Sequence, residues 1–184
     1  RHESIIFRRD NSYYEKMDSA ERCIDDEIPF EIPKTWVWSR IGMAFTLQAG
    51  KNISASEIKE NPYPNSFLCY GGNGIRGYVS QSNRSGEYPI IGRQGALCGN
   101  INVATGEFYA TEHAICVETY ASTYIAWACL FLEALNLNQY ATATAQPGLS
   151  VSKINEVLIP IPPLTEQIRI HHKFKNCISF IQSL

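Results

Sequence analysis

Residues 159–184 read IPIPPLTEQIRIHHKFKNCISFIQSL, and this stretch carries the strongest structural signal in the chain. Pro162 and Pro163 end a strand-like run over 157–161, and no glycine or proline follows, so the sequence predicts a helix over 165–184. Apolar residues recur along it at intervals of four, three, four and three, as in the seam of a coiled coil: Ile170, Phe174, Cys177, Ile181 and Leu184. Such a helix can pack on its own domain or pair with another segment or chain. Because the pattern continues to the last residue, we expect pairing.

The region before this helix, residues 32–163, alternates short β-rich runs with glycine. Nine of the twelve glycines fall between Gly71 and Gly106, and they punctuate runs that are typical of strands. An apolar run over 123–135 predicts one helix, and Ser54 with Glu57 matches a capping box. The sequence therefore predicts a mixed, β-rich α+β domain with short helices, followed by an amphipathic helix of coiled-coil type over 164–184.

Residues 1–31 differ from the rest in composition. They hold nine acidic and five basic residues, and every aspartate of the chain lies within the first 26 positions. The segment has no clear apolar period, so it is interpreted as an N-terminal arm or linker with a boundary near Pro33.

The composition is that of a folded protein from a reducing compartment. The 184 residues are 45% hydrophobic and 18% charged, which gives enough apolar material for a core. The six cysteines form no C-x-x-C pair, which argues against zinc and thioredoxin motifs. Cys116 and Cys129 lie in apolar runs, so we expect buried free thiols in a reducing cytoplasm. No apolar run approaches the ~20 residues of a membrane span, so no membrane partner is expected.

Sequence motifs typical of catalysis or cofactor binding occur here without the neighbouring elements or residues that they need. Residues 72–77 satisfy G-x-G-x-x-G, but the strand-like residues 78–80 follow where a dinucleotide site needs a helix. Residues 61–64 (NPYP) resemble the Asn-Pro-Pro-Tyr of amino-methylating DNA methyltransferases in the wrong order. No motif places an acid or a nucleophile beside His113, so a structural role is expected for it. The sequence predicts a non-catalytic chain with no metal and no cofactor.

Two polar clusters are candidates for ligand contact. The first contains Arg76, Arg84 and the run Gly92-Arg93-Gln94-Gly95. Arginine pairs with guanine, and glutamine or asparagine with adenine, in the major groove of DNA. The second is the small-residue loop over 142–150. Composition alone leaves ordinary exposed turns open as the alternative for both clusters.

Five segments in order resemble a known family. They are Ile32-Pro33-x-x-Trp36-x-Trp38, then IGRQGALCGN at 91–100, ATEHA at 110–114, TAQPGLS at 144–150, and the closing P-P-L-x-E-Q-x-x-I at 162–170. From about Ile32 onward they resemble a target recognition domain of the specificity subunit of type I restriction-modification enzymes.

The resemblance implies a role in recognising double-stranded DNA. In that family a specificity subunit carries two recognition domains, and each reads one half of a split sequence from the major groove. Helices between the domains form an antiparallel coiled coil that fixes the distance between the halves. They also dock the methyltransferase subunits, with the restriction-translocase subunits outside them. Since this chain has a single recognition domain, we expect a homodimer or a second recognition domain to join through the C-terminal helix.

The resemblance also divides the candidate DNA contacts into two groups. Arg93, Gln94 and Gln146 lie in signature motifs, which more naturally shape the fold or contact phosphate. Base choice is expected from loop residues outside those motifs: Lys51, Asn52, Asn73, Arg76, Asn83 and Arg84. Two other interpretations remain open, a protein-protein assembly module without base readout and a fragment of a DNA methyltransferase.

The charge distribution permits this interpretation. The formal net charge is −2, but residues 1–31, with nine acidic and five basic residues, carry −4, and residues 32–184 carry +2. In the remaining chain, seven Lys or Arg lie from Lys34 to Arg93 and four from Lys153 to Lys175, with none over 94–152. Two blocks of basic residues are suited to a modest, localised phosphate-binding surface.

Overall fold

The computed structural model describes residues 3–95, 97–142 and 147–182. Within these ranges the chain forms three sheets and four α-helices. The strands are β1 (Ser4–Arg9), β2 (Ser12–Met17), β3 (Ala20–Cys23), β4 (Val37–Arg40), β5 (Thr46–Ala49), β6 (Phe67–Gly71), β7 (Gly74–Val79), β8 (Arg84–Gly92), β9 (Ile101–Ala110), β10 (Ala114–Glu118) and β11 (Leu158–Ile161). The helices are α1 (Ile41–Ala44), α2 (Ile125–Ala134), α3 (Val151–Asn155) and α4 (Leu164–Gln182). The mixed α+β class with a C-terminal helix is as the sequence predicts.

The segment predicted as an arm is a folded sheet. Strands β1, β2 and β3 form an antiparallel meander. In β2 the inward positions are Tyr13 and Glu15, both buried. Because a charged residue occupies one of these inward positions, the period-two pattern of the strand is hidden in the sequence. The division of the chain into domains at residue 31 stays a prediction.

A six-stranded sheet in the order β5-β10-β8-β9-β6-β7 forms the centre of the domain. All its pairs are antiparallel except β6 with β9. Strand β9 begins at Ile101, because residues 97–99 before it form a turn in which Gly99 has φ of 90°.

The ribbon of β8 and β9 bends back on itself. Asn83, just before β8, hydrogen-bonds to Ala110, whereas Arg93, just after β8, donates its backbone N–H to the His113 carbonyl at 2.8 Å. Three residues of chain span at most about 11 Å from Ala110 to His113. A straight strand would separate Asn83 from Arg93 by about 33 Å. The two ends of β8 therefore approach one another.

A glycine pair accommodates this bend. Gly86 and Gly106 face each other in the β8–β9 ladder and have φ of 133° and 76°. Residues with a side chain rarely adopt such angles, so glycine at both positions allows the ribbon to turn.

The main core lies between the sheet and the helices. It includes Trp127 and Leu132 of α2, Ile154 of α3, and Ile159 of β11, all essentially inaccessible to solvent. The predicted helical turn at Ser54 is a 3₁₀ turn over Ala55–Glu57 with both capping-box hydrogen bonds present.

Helix α4 leaves this core after its first two turns. Ile170 packs against the main core, but Phe174, Cys177 and Ile181 are exposed. The last position of the predicted seam, Leu184, lies outside the described residues. Packing on the same domain thus accounts for Ile170, while pairing of the exposed part stays a prediction.

Candidate nucleic-acid interface

The turn between β9 and β10, residues 111–113, connects the segments that carry the candidate residues. Thr111 is fully buried and donates its backbone N–H to the Tyr70 carbonyl at 2.9 Å. On one side, the Lys51 backbone N–H donates to the Ala110 carbonyl at 3.0 Å. On another, the Arg93 guanidinium donates to the Glu112 carbonyl at 3.3 Å. Segments far apart in sequence therefore meet at one turn.

The tip of the β6–β7 hairpin packs against the loop after β8. A Cβ atom at Gly92 would lie 2.0 Å from the Gly72 carbonyl oxygen, so the two backbones touch in a way that a side chain would prevent. Asn73, between Gly72 and Gly74, lies 3.3 Å from the Asn100 amide. This close approach places Asn73 beside the Arg93 loop.

The two polar motifs of the sequence lie side by side. The Gly95 N–H donates to the Pro147 carbonyl at 3.1 Å, and the Leu149 N–H donates to the Arg93 carbonyl at 2.9 Å. Gln94 pairs with Gly148 as an isolated β-bridge. Arg93, Gln94 and Gly148 line one cleft of about 460 Å³ together with Thr142 and Ser150–Ser152. Gln146, a candidate in the same motif, lies outside the described residues.

Most of the described candidates present accessible side chains. Arg93 is half-buried, and five others are exposed: Lys51, Asn52, Asn73, Arg76 and Gln94. Arg76 of β7 lies over Gly71, where an added Cβ would come within 2.3 Å of its Cδ. The set combines amide groups with cationic groups around one turn, which is the donor and acceptor chemistry that base edges and phosphates require.

Asn83 and Arg84 are the candidates most engaged within the protein. The Asn83 Nδ2 donates to the Ala110 carbonyl at 2.9 Å, and its Oδ1 accepts from the Ala110 N–H at 2.8 Å. Arg84 donates to the Gln48 side chain at 2.7 Å and to the Asn83 carbonyl at 3.1 Å. The Asn83 amide thus extends the ladder of β9 past the end of its strand partner.

Glu112 and His113 are polar residues at this turn that sequence reasoning left out of the contact set. The Glu112 Oε1 lies 3.1 Å from the His113 Nε2, and both side chains are about one-third exposed. Their other polar atoms, Glu112 Oε2 and His113 Nδ1, are buried without a hydrogen-bond partner in the described part of the chain. The sequence feature that could have indicated these two residues is the polar run Thr-Glu-His directly after a strand-like run.

Among the residues whose positions are described, no group of three His, Cys, Asp or Glu side chains could hold a metal ion. In the same ranges no helix has both the length and the apolar character needed to cross a membrane.

The sequence model of the type I restriction modification DNA specificity domain matches residues 33–184. This chain belongs to that family. The resemblance read from the five sequence segments is therefore confirmed.

Individual relatives agree with the family assignment. The chain is 48% identical over 133 residues to the type I restriction enzyme EcoprrI specificity subunit of Escherichia coli, a match that covers 71% of this chain and 33% of that protein. The fold is similar to that of the type I restriction-modification S subunit of M. genitalium, with a TM-score of 0.66 and 16% identity over 84% of this chain and 42% of the other.

A further solved chain comes from a study of complex assembly and conformational transition in a type I restriction-modification system. It has a TM-score of 0.68 and 20% identity, and the match covers 84% of this chain and 41% of that one. At these identities the similarity shows the fold, a mixed α+β domain with a C-terminal helix. This chain spans less than half the length of each of these relatives.

Proposed function

We propose that this domain reads one half of a bipartite sequence in double-stranded DNA. The observation that carries the proposal is that the segments bearing Lys51, Asn73, Arg76 and Gln94, all exposed, meet near the buried turn at Thr111 through backbone contacts. These four side chains come from three separate stretches of sequence, and the backbone contacts of glycine bring them together.

The chemistry of this surface suits major-groove readout. Asn73 has the amide group that pairs with adenine, and Arg76 has the guanidinium that pairs with guanine. Arg93 is less accessible, and its guanidinium is tied to the Glu112 carbonyl. We therefore assign Arg93 to phosphate contact, which positions the domain without selecting sequence.

In this proposal Asn83 and Arg84 stabilise the fold and do not contact bases. The Asn83 amide has both of its ends paired with Ala110, and removing either bond to reach a base would cost about 1–3 kcal/mol. Arg84 bridges β5 and β8 through Gln48. Both residues hold the strands that carry the proposed contacts.

The rest of the proposal concerns assembly. Helix α4 is the start of the helix that separates two recognition domains, and its exposed residues Phe174, Cys177 and Ile181 pair with a second recognition domain or a second copy of this chain. The assembled subunit positions the methyltransferase and restriction-translocase subunits on DNA and performs no catalytic step of its own. The exposure of these apolar side chains supports pairing, since each would otherwise remain in water.

DNA binding by the full specificity subunit, assembled with its methyltransferase subunits, tests this proposal. Mobility shifts on duplexes with and without the target should show specific binding that weakens between about 50 and 200 mM salt. Arg76→Ala should weaken specific binding about tenfold, as expected for one lost base contact. Lys16→Ala, a matched change at an exposed cation of the N-terminal sheet, should have no effect. Normal assembly with unchanged DNA binding in Arg76→Ala, Lys51→Ala and Gln94→Ala would instead favour an assembly module.

A further inference from the structure

The buried side chain of Gln167 lies where three elements meet. It belongs to the first turns of α4 and is 1% exposed. Its Oε1 accepts a hydrogen bond from the Tyr124 N–H at 2.8 Å, and its Nε2 donates to the Pro162 carbonyl at 2.9 Å and to the Ser122 carbonyl at 3.2 Å. All the hydrogen-bonding groups of this amide are engaged.

The three partners of Gln167 belong to two junctions of the fold. Pro162 directly follows β11, Tyr124 directly precedes α2, and Ser122 lies in the loop that leads to α2. The Tyr124 N–H is one of the backbone donors at a helix start that need a partner outside the helix. One side chain therefore fixes the beginning of α4 against both a strand end and a helix start.

Beyond this point α4 has few contacts with the domain. Ile170 packs on the main core, and the His171 ring lies 5.4 Å from the Tyr124 ring. From residue 172 to residue 182 every described residue of the helix is exposed. The direction of this projecting part is set by the contacts of its first two turns.

We propose that Gln167 is a positioning residue that sets the direction of α4 and thereby the separation of half-sites that the assembled subunit accepts. This inference rests on the function proposed above. The helix extends about 22 Å from Gln167 to its described end, so a tilt of about 10° moves that end by about 4 Å. The rise of one base pair is about 3.4 Å, so even a small tilt is comparable with a change of one base pair in spacing.

The test measures methyl transfer by the full specificity subunit with its methyltransferase subunits. Three duplexes carry the two half-sites at the natural spacing, one base pair closer and one base pair further apart. Gln167→Met keeps the side-chain length but loses all three hydrogen bonds, and it should reduce the preference for the natural spacing about tenfold. The sequence preference within each half-site should not change. Gln139→Met is the matched control, because that exposed amide bonds only to Leu135 in the adjoining turn of the described chain, and it should keep the wild-type preference.

Two results would overturn the inference. Methyl transfer by Gln167→Met could fall by the same factor on all three duplexes, or its spacing preference could match that of the wild type; either would leave Gln167 a purely structural residue. If Gln167→Met does not fold, Gln167→Asn is used with the same expectation, because its amide is one methylene shorter and cannot reach all three partners. Failure of the wild-type complex to methylate the duplex at any spacing would contradict the proposed function itself, so the two failures are distinguishable.

Discussion

Glu15 of β2 and Arg40 of β4 form a two-point ion pair that joins the N-terminal sheet to the recognition domain. The Arg40 Nη2 lies 2.7 Å from Glu15 Oε2, and Nε lies 3.0 Å from Oε1. Ser4 donates to the same carboxylate at 2.6 Å and Arg22 at 2.7 Å. Arg40 also donates to the Glu156 carbonyl at 2.7 Å, next to β11. A buried carboxylate with three donors thus holds a segment that its composition alone would place in solvent.

The first prediction concerns the pH dependence of stability. The Arg40 hydrogen bond, assisted by Ser4 and Arg22, outweighs burial and lowers the pKa of Glu15 to about 2. A lowered pKa stabilises the folded state above the unfolded value near 4.5, and this contribution is lost as the pH falls toward 2. We expect Glu15 to contribute about 3 kcal/mol across that range.

Urea unfolding of the wild type and Glu15→Gln at a series of pH values measures this contribution. The free-energy difference between the two proteins should shrink as the pH falls from about 5 to about 2. Glu21→Gln removes an exposed partner of Arg9 and should cost less than about 1 kcal/mol. If the unfolding free energies of the wild type and Glu15→Gln change in parallel with pH, the ion pair does not stabilise the ionised form of Glu15.

The second prediction concerns the contact between the β6–β7 hairpin and the loop after β8. Gly92→Ala forces a Cβ against the Gly72 carbonyl and the Asn100 side chain, and we expect a loss of about 3 kcal/mol in unfolding free energy. Gly148→Ala is the control, since its nearest neighbours would be 3.8 Å from the new Cβ, and it should change stability by less than about 0.5 kcal/mol. Equal stability of the two variants in urea unfolding would rule out the close approach.

The third prediction separates two arginines in DNA binding. Arg93→Ala should weaken binding to every duplex by a similar factor and reduce the salt dependence, because phosphate contacts carry no sequence information. Arg76→Ala should instead change the preference at particular base pairs. Competition binding against a library of single-base variants of the target distinguishes the two effects. Uniform loss in both variants would contradict the division of roles.

The fourth prediction concerns Asn83. Because its amide pairs with both backbone groups of Ala110, Asn83→Ala should cost about 2 kcal/mol in unfolding free energy and leave the recognised sequence unchanged. Asn52→Ala, at an exposed side chain, should leave stability unchanged within about 0.5 kcal/mol. An altered base preference in a stable Asn83→Ala protein would return this residue to the set of base contacts.

Local patterns predicted α2, α4 and most strands of the recognition domain, whereas the short helix α3 was not predicted. The spacing of apolar residues predicted α4 to within two residues of its described bounds, and the capping box at Ser54 was confirmed. The meander over residues 4–23 was missed because its inward-facing Glu15 depends on Arg40, a partner that is 25 residues away. Sequence patterns report local periodicity, whereas this strand is stabilised by a distant ion pair.

The candidate site was predicted as a list of residues but not as a surface. The motifs around Arg93 and over 147–150 were recognised separately, and their contact through Gly95 and Leu149 depends on long-range backbone hydrogen bonds. The pairing of the Asn83 amide with Ala110 was equally invisible, since it requires the register of the β8–β9 ladder. The sequence therefore identified candidate residues by their chemical type. Their exposure and their contact partners could be determined only from the three-dimensional structure.

The central claim is that this domain determines one half of a bipartite recognition sequence. Its most direct test exchanges residues 32–163 for the corresponding domain of another specificity subunit and maps the methylated sequences across a genome that carries the complete system. We predict that one half of the methylated motif changes with the exchanged domain, while the other half and the spacing stay the same. An unchanged motif in an active, assembled complex would contradict the account.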